Sequence, residues 1–96
     1  MRRDQVLTIL AANRSALAER GVKSLRLFGS VARDEAAEGS DVDLLVEFNR
    51  PTGLFGLVRL QRYLGELLGC RVDLTTPGGL RESMRERILR EAIHVS

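Results

Sequence analysis

The chain has 96 residues, 44% of them hydrophobic and 29% charged, and its 15 basic and 13 acidic residues leave a formal charge of only +2. This length fits one compact domain, so we expect a single domain over residues 1–96. The interleaved charges give no indication of nucleic-acid binding, and no segment approaches the roughly 18 apolar residues that a membrane-spanning helix needs. We therefore expect neither a nucleic acid nor a membrane as partner.

The first half of the chain alternates between helical and strand patterns. Apolar residues three or four positions apart predict a helix over 4–20, ended by Gly21. Alternating residues predict a first strand over 23–28. A short helix over 31–37 and a turn then precede the apolar segment 42–48, which predicts the second strand.

The second half continues with helix, strand and helix. Leucines at helical spacing predict a helix over 54–68, and alternation predicts a third strand over 71–75. A last helix is expected to direct Leu80, Met84 and Ile88 inward. This order predicts an α/β (α+β) fold, a small mixed β-sheet covered by helices.

Two acidic residues open the predicted second strand. Residues i and i+2 of a strand point to the same face with Cα atoms about 6.6 Å apart, so Asp41 and Asp43 can converge on a shared cation. Mg²⁺ is usually held by one or two carboxylates together with phosphate oxygens. The alternative reading is a strand start with two solvated acids, for which Ser40-Asp41 is ordinary turn chemistry.

Two further features favour the metal site. Gly29 and Ser30 follow the first strand, where a residue without a Cβ allows close approach of a phosphate and a hydroxyl adds a contact. Asp73 lies on the third strand, placed to take the proton from an attacking hydroxyl. Together these residues predict a site for a nucleoside triphosphate and Mg²⁺.

The motifs carry a specific family resemblance. GSVAR at 29–33, SDVDLLV at 40–46 and VDL at 72–74 occur in one order with hydrophobic flanks. This set resembles the minimal nucleotidyltransferases of the DNA polymerase beta-like superfamily, which are antitoxins paired with HEPN-domain toxins. The likeness covers most of the chain. It departs at Asp34, where many relatives have glycine, which affects the loop conformation and not the carboxylates.

The resemblance implies the roles of individual residues. It implies a polymerase beta-like nucleotidyltransferase fold, Mg²⁺ dependence, and metal binding by Asp41, Asp43 and Asp73. The positions that match the nucleotide motif are Gly29, Ser30, Arg33 and Ser40. Of these, Gly29 and Ser30 would contact the triphosphate. Arg33 would have a phosphate or structural role, and Ser40 a turn or nucleotide contact.

The implied activity is transfer of AMP from ATP to a tyrosine of a cognate HEPN toxin, which silences the toxin. Two alternatives remain: a non-catalytic antitoxin that acts by forming a complex, and transfer to a small molecule such as an aminoglycoside. The last generally calls for an additional substrate-binding domain. The arginines of the last helix are interspersed with glutamates, for instance in the i,i+4 pair Glu86 and Arg90, and read as a solvated face.

Two expectations concern the setting of the protein. The lone Cys70 rules out an intramolecular disulfide and fits a reducing cytoplasm. A chain this short buries only roughly 60–65% of its unfolded surface, so a homodimer or hetero-oligomer would add stability.

Overall fold

The structure, a computed structural model, describes residues 1–35, 39 and 41–95. Its helices and strands are, in chain order, α1 (Arg3–Ala12), α2 (Arg14–Glu19), β1 (Val22–Phe28), α3 (Gly29–Ala32), β2 (Val42–Phe48), α4 (Leu54–Leu68), β3 (Val72–Thr75), α5 (Glu82–Glu91) and β4 (Ile93–His94). A 3-10 turn, Pro77–Gly79, follows β3. The predicted mixed α+β architecture is confirmed within the described residues.

The sheet has the strand order β3-β2-β1-β4. Strand β2 is antiparallel to β1 and parallel to β3, and β4 is antiparallel to β1. The parallel pair is joined by α4, as a crossover connection requires. The end of β1 and the beginnings of β2 and β3 therefore meet at one end of the sheet.

The main hydrophobic core covers one face of the sheet. Its buried residues come from the strands and from α1 to α4, and among them are Val6, Leu10, Leu17, Leu25, Leu27, Val42, Leu44, Val46, Leu60, Leu64 and Leu68. Leu45 and Ile88 are buried outside this cluster, so α5 contributes to a second packing layer. None of the helices among the described residues has the length and apolar character to cross a membrane.

The predicted helix over 4–20 is wrong because it is interrupted at Asn13. The Asn13 side chain donates a hydrogen bond of 2.8 Å to the carbonyl of Ile9, and its backbone N–H bonds to Leu10 at 3.1 Å. Asparagine competes in this way with regular helical bonding, so one helix ends and α2 begins at the next residue.

Two further helix predictions need correction. The short helix begins at Gly29 and ends at Ala32, while part of the predicted segment 31–37 lies outside the described residues. In the last helix Ile88 is buried as expected, but Met84 is 50% exposed and Leu80 precedes the helix. Met84 borders a cavity that separates this part of α5 from Phe28 at the end of β1.

The strand predictions are closer. Strand β2 has the predicted bounds, and β1 and β3 differ from the predicted ones by one residue at their starts. The two-residue β4 was not predicted because it is too short to show an alternating pattern. His94 of β4 pairs with Arg26 of β1, so His94 lies on an edge strand of the sheet.

The loop after α3 closes in a Schellman motif. The N–H of Glu35 donates to the carbonyl of Ser30 at 2.9 Å, and the N–H of Asp34 donates to Val31 at 3.0 Å. Asp34 lies in the left-handed region with φ of +60°. Glycine is the usual residue at such a position, so Asp34 keeps a glycine-type backbone conformation.

Substitutions of Asp34 should rank by their tolerance of positive φ. We expect Asp34→Gly to be as stable as the natural protein or more stable by up to about 1 kcal/mol, and Asp34→Asn to be close to neutral. Asp34→Val should lose about 1 kcal/mol or more because a β-branched residue is strained in this region. Urea denaturation would measure the series, and a valine variant as stable as the glycine variant would contradict the left-handed assignment.

Candidate active site

The carboxylates gather where β1 ends and where β2 and β3 begin. The register pairs Asp43 with Asp73 on β3 and with Phe28 on β1. Directly paired residues on neighbouring strands point to the same face of a sheet, so Asp43 and Asp73 lie side by side. Asp41 comes two positions before Asp43 and is exposed. The sheet thus places Asp73 beside Asp43, and Asp41 directly precedes the start of β2.

Burial and neighbouring charges act on Asp43. Partial burial, followed by the negative charges of Asp73 and Asp41, raises the pKa of Asp43, while the positive charge of Arg33 opposes this rise. Carboxylates whose negative charges raise the pKa of Asp43 are close enough to it to share a counter-charge. The ionised cluster therefore favours a cation beside Asp43.

Gly29 and Asp43 depend on each other sterically. Gly29 has φ of +77°, a conformation that favours glycine. A Cβ at position 29 would collide with Oδ2 of Asp43 and would stand 3.0 Å from its Cγ and 3.2 Å from its Cβ. Rotation of the carboxylate would relieve the contact with Oδ2, but the close approach to the Cβ of Asp43 would remain. The glycine thus makes room for the carboxylate.

Arg33 is held in a small ion-pair network. The Nε of Arg33 lies 3.0 Å from Oε2 of Glu35, and its Nη1 lies 3.7 Å from Oε2 of Glu91 in α5. Glu91 also pairs with Arg87 at 3.5 Å in an i,i+4 arrangement. All of these side chains are substantially exposed, so the pairs contribute little stability and exchange readily for a bound anion.

A cavity of about 270 Å³ connects this network to the glycine. Gly29 and Arg33 line it from one side, and Arg87 and Glu91 line it from α5. Its volume is below the roughly 300–1,000 Å³ of sites that enclose a drug-sized ligand, so it has room for only part of such a molecule.

The α5 residues were not predicted as part of the site because the charge pattern of their helix indicates a solvated face. Among the described residues the ion pair of α5 is Arg87–Glu91, not Glu86–Arg90.

The remaining predicted residues have mixed outcomes. Ser30 is half-buried in the first turn of α3, next to Gly29. Ser40 lies outside the described residues.

In the described part of the chain, no three His, Cys, Asp or Glu side chains lie close enough together to form a metal site by themselves. Mg²⁺ takes only one or two carboxylates when phosphate oxygens complete its shell, so the paired Asp43 and Asp73 still fit this ion.

Comparison with known proteins identifies the family. The model of the nucleotidyltransferase domain family matches residues 8–95. The chain belongs to this family. The protein adenylyltransferase MntA of Thermococcus cleftensis is 41% identical to this nucleotidyltransferase over 93 residues, which are 96% of this chain and 94% of that protein.

Solved structures support the fold of this nucleotidyltransferase. A candidate minimal nucleotidyltransferase is 44% identical, with a TM-score of 0.84, and the match covers 97% of this chain and 95% of the other. A complex of an MNT antitoxin with the tri-AMPylated HEPN toxin of Shewanella oneidensis contains a chain with a TM-score of 0.68. That match is 15% identical, covers 94% of this chain and 71% of the other, and shows the fold alone.

Replacing Gly29 with alanine should disable this nucleotidyltransferase. We expect a loss of about 1–3 kcal/mol in stability from the left-handed backbone and the collision with Asp43, together with loss of Mg²⁺-ATP binding. Urea denaturation and calorimetric titration with Mg²⁺-ATP would measure the two effects.

Gly69→Ala is the matched control for Gly29→Ala. Gly69 also has positive φ, +68°, but no atom lies within 4 Å of the position that a Cβ would take there. It should lose only about 1 kcal/mol and retain ATP binding. Equal effects of the two substitutions would contradict a specific contact between Gly29 and Asp43.

Replacing Asp43 with asparagine should stabilise this nucleotidyltransferase in the absence of metal while abolishing Mg²⁺-ATP binding. The pKa of Asp43 is higher in the folded than in the unfolded chain, so ionisation costs more in the folded state. The loss of stability caused by ionisation of Asp43 appears as the pH rises from the pKa of the unfolded chain to the higher pKa of the folded chain. It persists at neutral pH. The gain should be below about 1 kcal/mol because solvent screens the partly exposed group.

Thermal denaturation at neutral and acid pH would test this gain. It should be present at neutral pH and disappear at a pH below both pKa values, where the carboxyl is uncharged in both states. Asp4→Asn is the control, because Asp4 is an exposed acid in the first turn of α1 and its loss removes a favourable helix interaction. An Asp43 variant that is less stable than the natural protein at neutral pH would contradict the repulsion.

Proposed function

We propose that this nucleotidyltransferase transfers AMP from ATP to a tyrosine of a HEPN-domain toxin and so acts as its antitoxin in the cytoplasm. The observation that carries the proposal is the register of Asp43 with Asp73 beside Gly29, which combines a cation site with space for a phosphate. A relative that covers nearly the whole chain is named a protein adenylyltransferase, and a structural neighbour is an antitoxin bound to an AMPylated HEPN toxin.

The donor set fits Mg²⁺. Asp41, Asp43 and Asp73 would hold the ion, because hard carboxylate oxygens are its preferred protein ligands. Burial, followed by the negative charges of Asp73 and Asp41, raises the pKa of Asp43, and a bound cation would offset that charge. When bound, Mg²⁺ would supply charge neutralisation for the triphosphate and its leaving group.

The phosphates would bind along the Gly29 end of α3. Gly29 permits close approach of the phosphate oxygens, and Ser30 and Ser40 would add hydroxyl contacts. Arg33 would exchange its exposed partners Glu35 and Glu91 for phosphate oxygens. Arg87 borders the same cavity and would add positive charge next to the triphosphate.

Asp73 would act as the general base. It is exposed and lies on β3, which is an edge strand, so a side chain of another protein can reach it. The tyrosine oxygen would bond to the α-phosphorus while the bond from that phosphorus to the bridging oxygen breaks and pyrophosphate leaves. The phenolic proton would pass to the Asp73 carboxylate.

The transfer can be tested with labelled ATP. Purified protein, Mg²⁺ and the HEPN-domain partner would be incubated with α-labelled ATP in one reaction and γ-labelled ATP in another. Only the α label should appear on the partner, because AMP and not the terminal phosphate is transferred. Asp41→Asn/Asp43→Asn should reduce labelling by at least about a hundredfold.

Asp4→Asn/Glu19→Gln is the matched control, since it removes the same charge from two exposed acids of α1 and α2 that do not line the cavity beside Gly29 and should label normally. If the Asp41→Asn/Asp43→Asn variant still labels the partner at the normal rate, the proposed metal site is rejected. A stable complex without labelling would instead favour the non-catalytic antitoxin.

A further inference from the structure

A second and larger cavity lies at the opposite end of the sheet from the carboxylates. It has a volume of about 450 Å³ and is bordered by Phe48 at the end of β2, the loop that follows, and the start of α4. Phe48 is five residues beyond Asp43 along an extended strand, a separation of about 17 Å. The cavity is therefore separate from the proposed nucleotide site.

The walls of this cavity carry positive charge only. Arg20, Arg50 and Arg59 line it, and no acidic residue is among the lining residues. In the described part of the chain none of these arginines has a carboxylate within 4.0 Å. A concave surface with several uncompensated guanidinium groups attracts an anionic group, and carboxylates and phosphates both match the planar fork of arginine.

Two of the arginines make contacts within the chain. The guanidinium of Arg20 stacks over the ring of Tyr63, 3.9 Å from its centroid. The guanidinium of Arg50 lies over Gly21, with its Cζ 3.0 Å from where a Cβ would stand. Contacts of this kind restrict a side chain and so lower the entropy that it loses when a ligand binds.

One apolar side chain on the solvent side of α4 lines the cavity. Phe55 borders it and is 79% exposed. Leu54 and Val58 are exposed on the same helix but are not among the residues that line the cavity. An exposed aromatic side chain next to arginine is typical of the central part of a protein interface.

The distal arginine surface is defined by Arg20, Arg50, Arg59 and Phe55, which all line the cavity. We propose that it docks an acidic segment of the HEPN-domain partner, an inference that rests on the proposed function. The partner's carboxylates would enter the arginine-lined cavity while an apolar residue beside them covers Phe55. The partner would thus be held about one strand length from the residues that modify it.

Two other occupants fit the surface less well. A two-fold dimer of this chain would place the same arginines opposite one another with no acid to separate them, because an isologous interface pairs one patch with itself. A nucleic acid is usually bound by a long basic track, whereas the 15 basic and 13 acidic residues of this chain leave a formal charge of only +2. Three arginines gathered in one cavity therefore favour a short acidic protein segment.

The docking surface can be tested by charge reversal. Arg50→Glu/Arg59→Glu and, separately, Phe55→Ser alter exposed side chains and should leave the melting temperature close to that of the natural protein. We expect the Kd for the HEPN-domain partner to rise by at least about tenfold in the double variant, and the KM for AMP transfer to rise with it. The kcat at saturating partner should be unchanged because the nucleotide site is untouched.

Arg14→Glu/Arg85→Glu reverses two exposed arginines that do not line the cavity and should bind the partner normally. Asp41→Asn/Asp43→Asn should bind the partner without labelling it, which separates docking from chemistry. Partner binding within twofold of normal in the Arg50/Arg59 variant would overturn the docking inference and leave the transferase proposal intact. Absence of any complex with the natural protein would overturn both.

Two further measurements check the other occupants. A concentration-dependent dimer that the Arg50/Arg59 variant loses, with partner binding unchanged, would overturn the inference in favour of self-association. The second measurement is binding of single-stranded polyuridine. If the natural protein binds it, the Arg50/Arg59 variant does not, and partner binding is unchanged, the docking inference is overturned in favour of a nucleic acid.

Discussion

The pairing of β2 between β1 and β3 is the constraint on which the site depends. It places Asp43 next to Asp73 on one side and next to the end of β1, where Gly29 follows, on the other. A shift of one residue would turn Asp43 into the core and bring the leucine that follows it to the site. The fully buried Val42 and Leu44, one on each side of Asp43, oppose such a shift because it would expose them.

This arrangement concentrates negative charge at one end of a small protein. The core faces away from the acids, so packing of Val42 and Leu44 holds the carboxylates together despite their repulsion. A ligand that binds only the folded state stabilises it by mass action. Binding of a Mg²⁺-nucleotide would therefore also raise the free energy of unfolding. The stability of the protein in a cell would then depend on the concentration of that ligand.

Local patterns were sufficient to predict β2, α4 and the spacing of Asp41 and Asp43, because each depends on periodicity within a few residues. The contact of α5 with the site was not predictable in this way, since Arg87 and Glu91 reach the Gly29 end only through tertiary packing. The break at Asn13 came from a side-chain hydrogen bond that competes with the helix. The grouping of Asp73 with Asp41 and Asp43 was predicted, whereas the direct pairing of Asp43 with Asp73 and the contact of Asp43 with Gly29 required the strand register.

The close approach of Gly29 and Asp43 has a consequence for the evolution of the family. A side chain at position 29 and a carboxylate at position 43 cannot occupy the same space, so the two positions should covary. A homologue that has acquired a larger residue in place of Gly29 should also have lost the aspartate, and its nucleotide chemistry with it. This pair of positions would then separate active members from degenerate ones by inspection of their sequences.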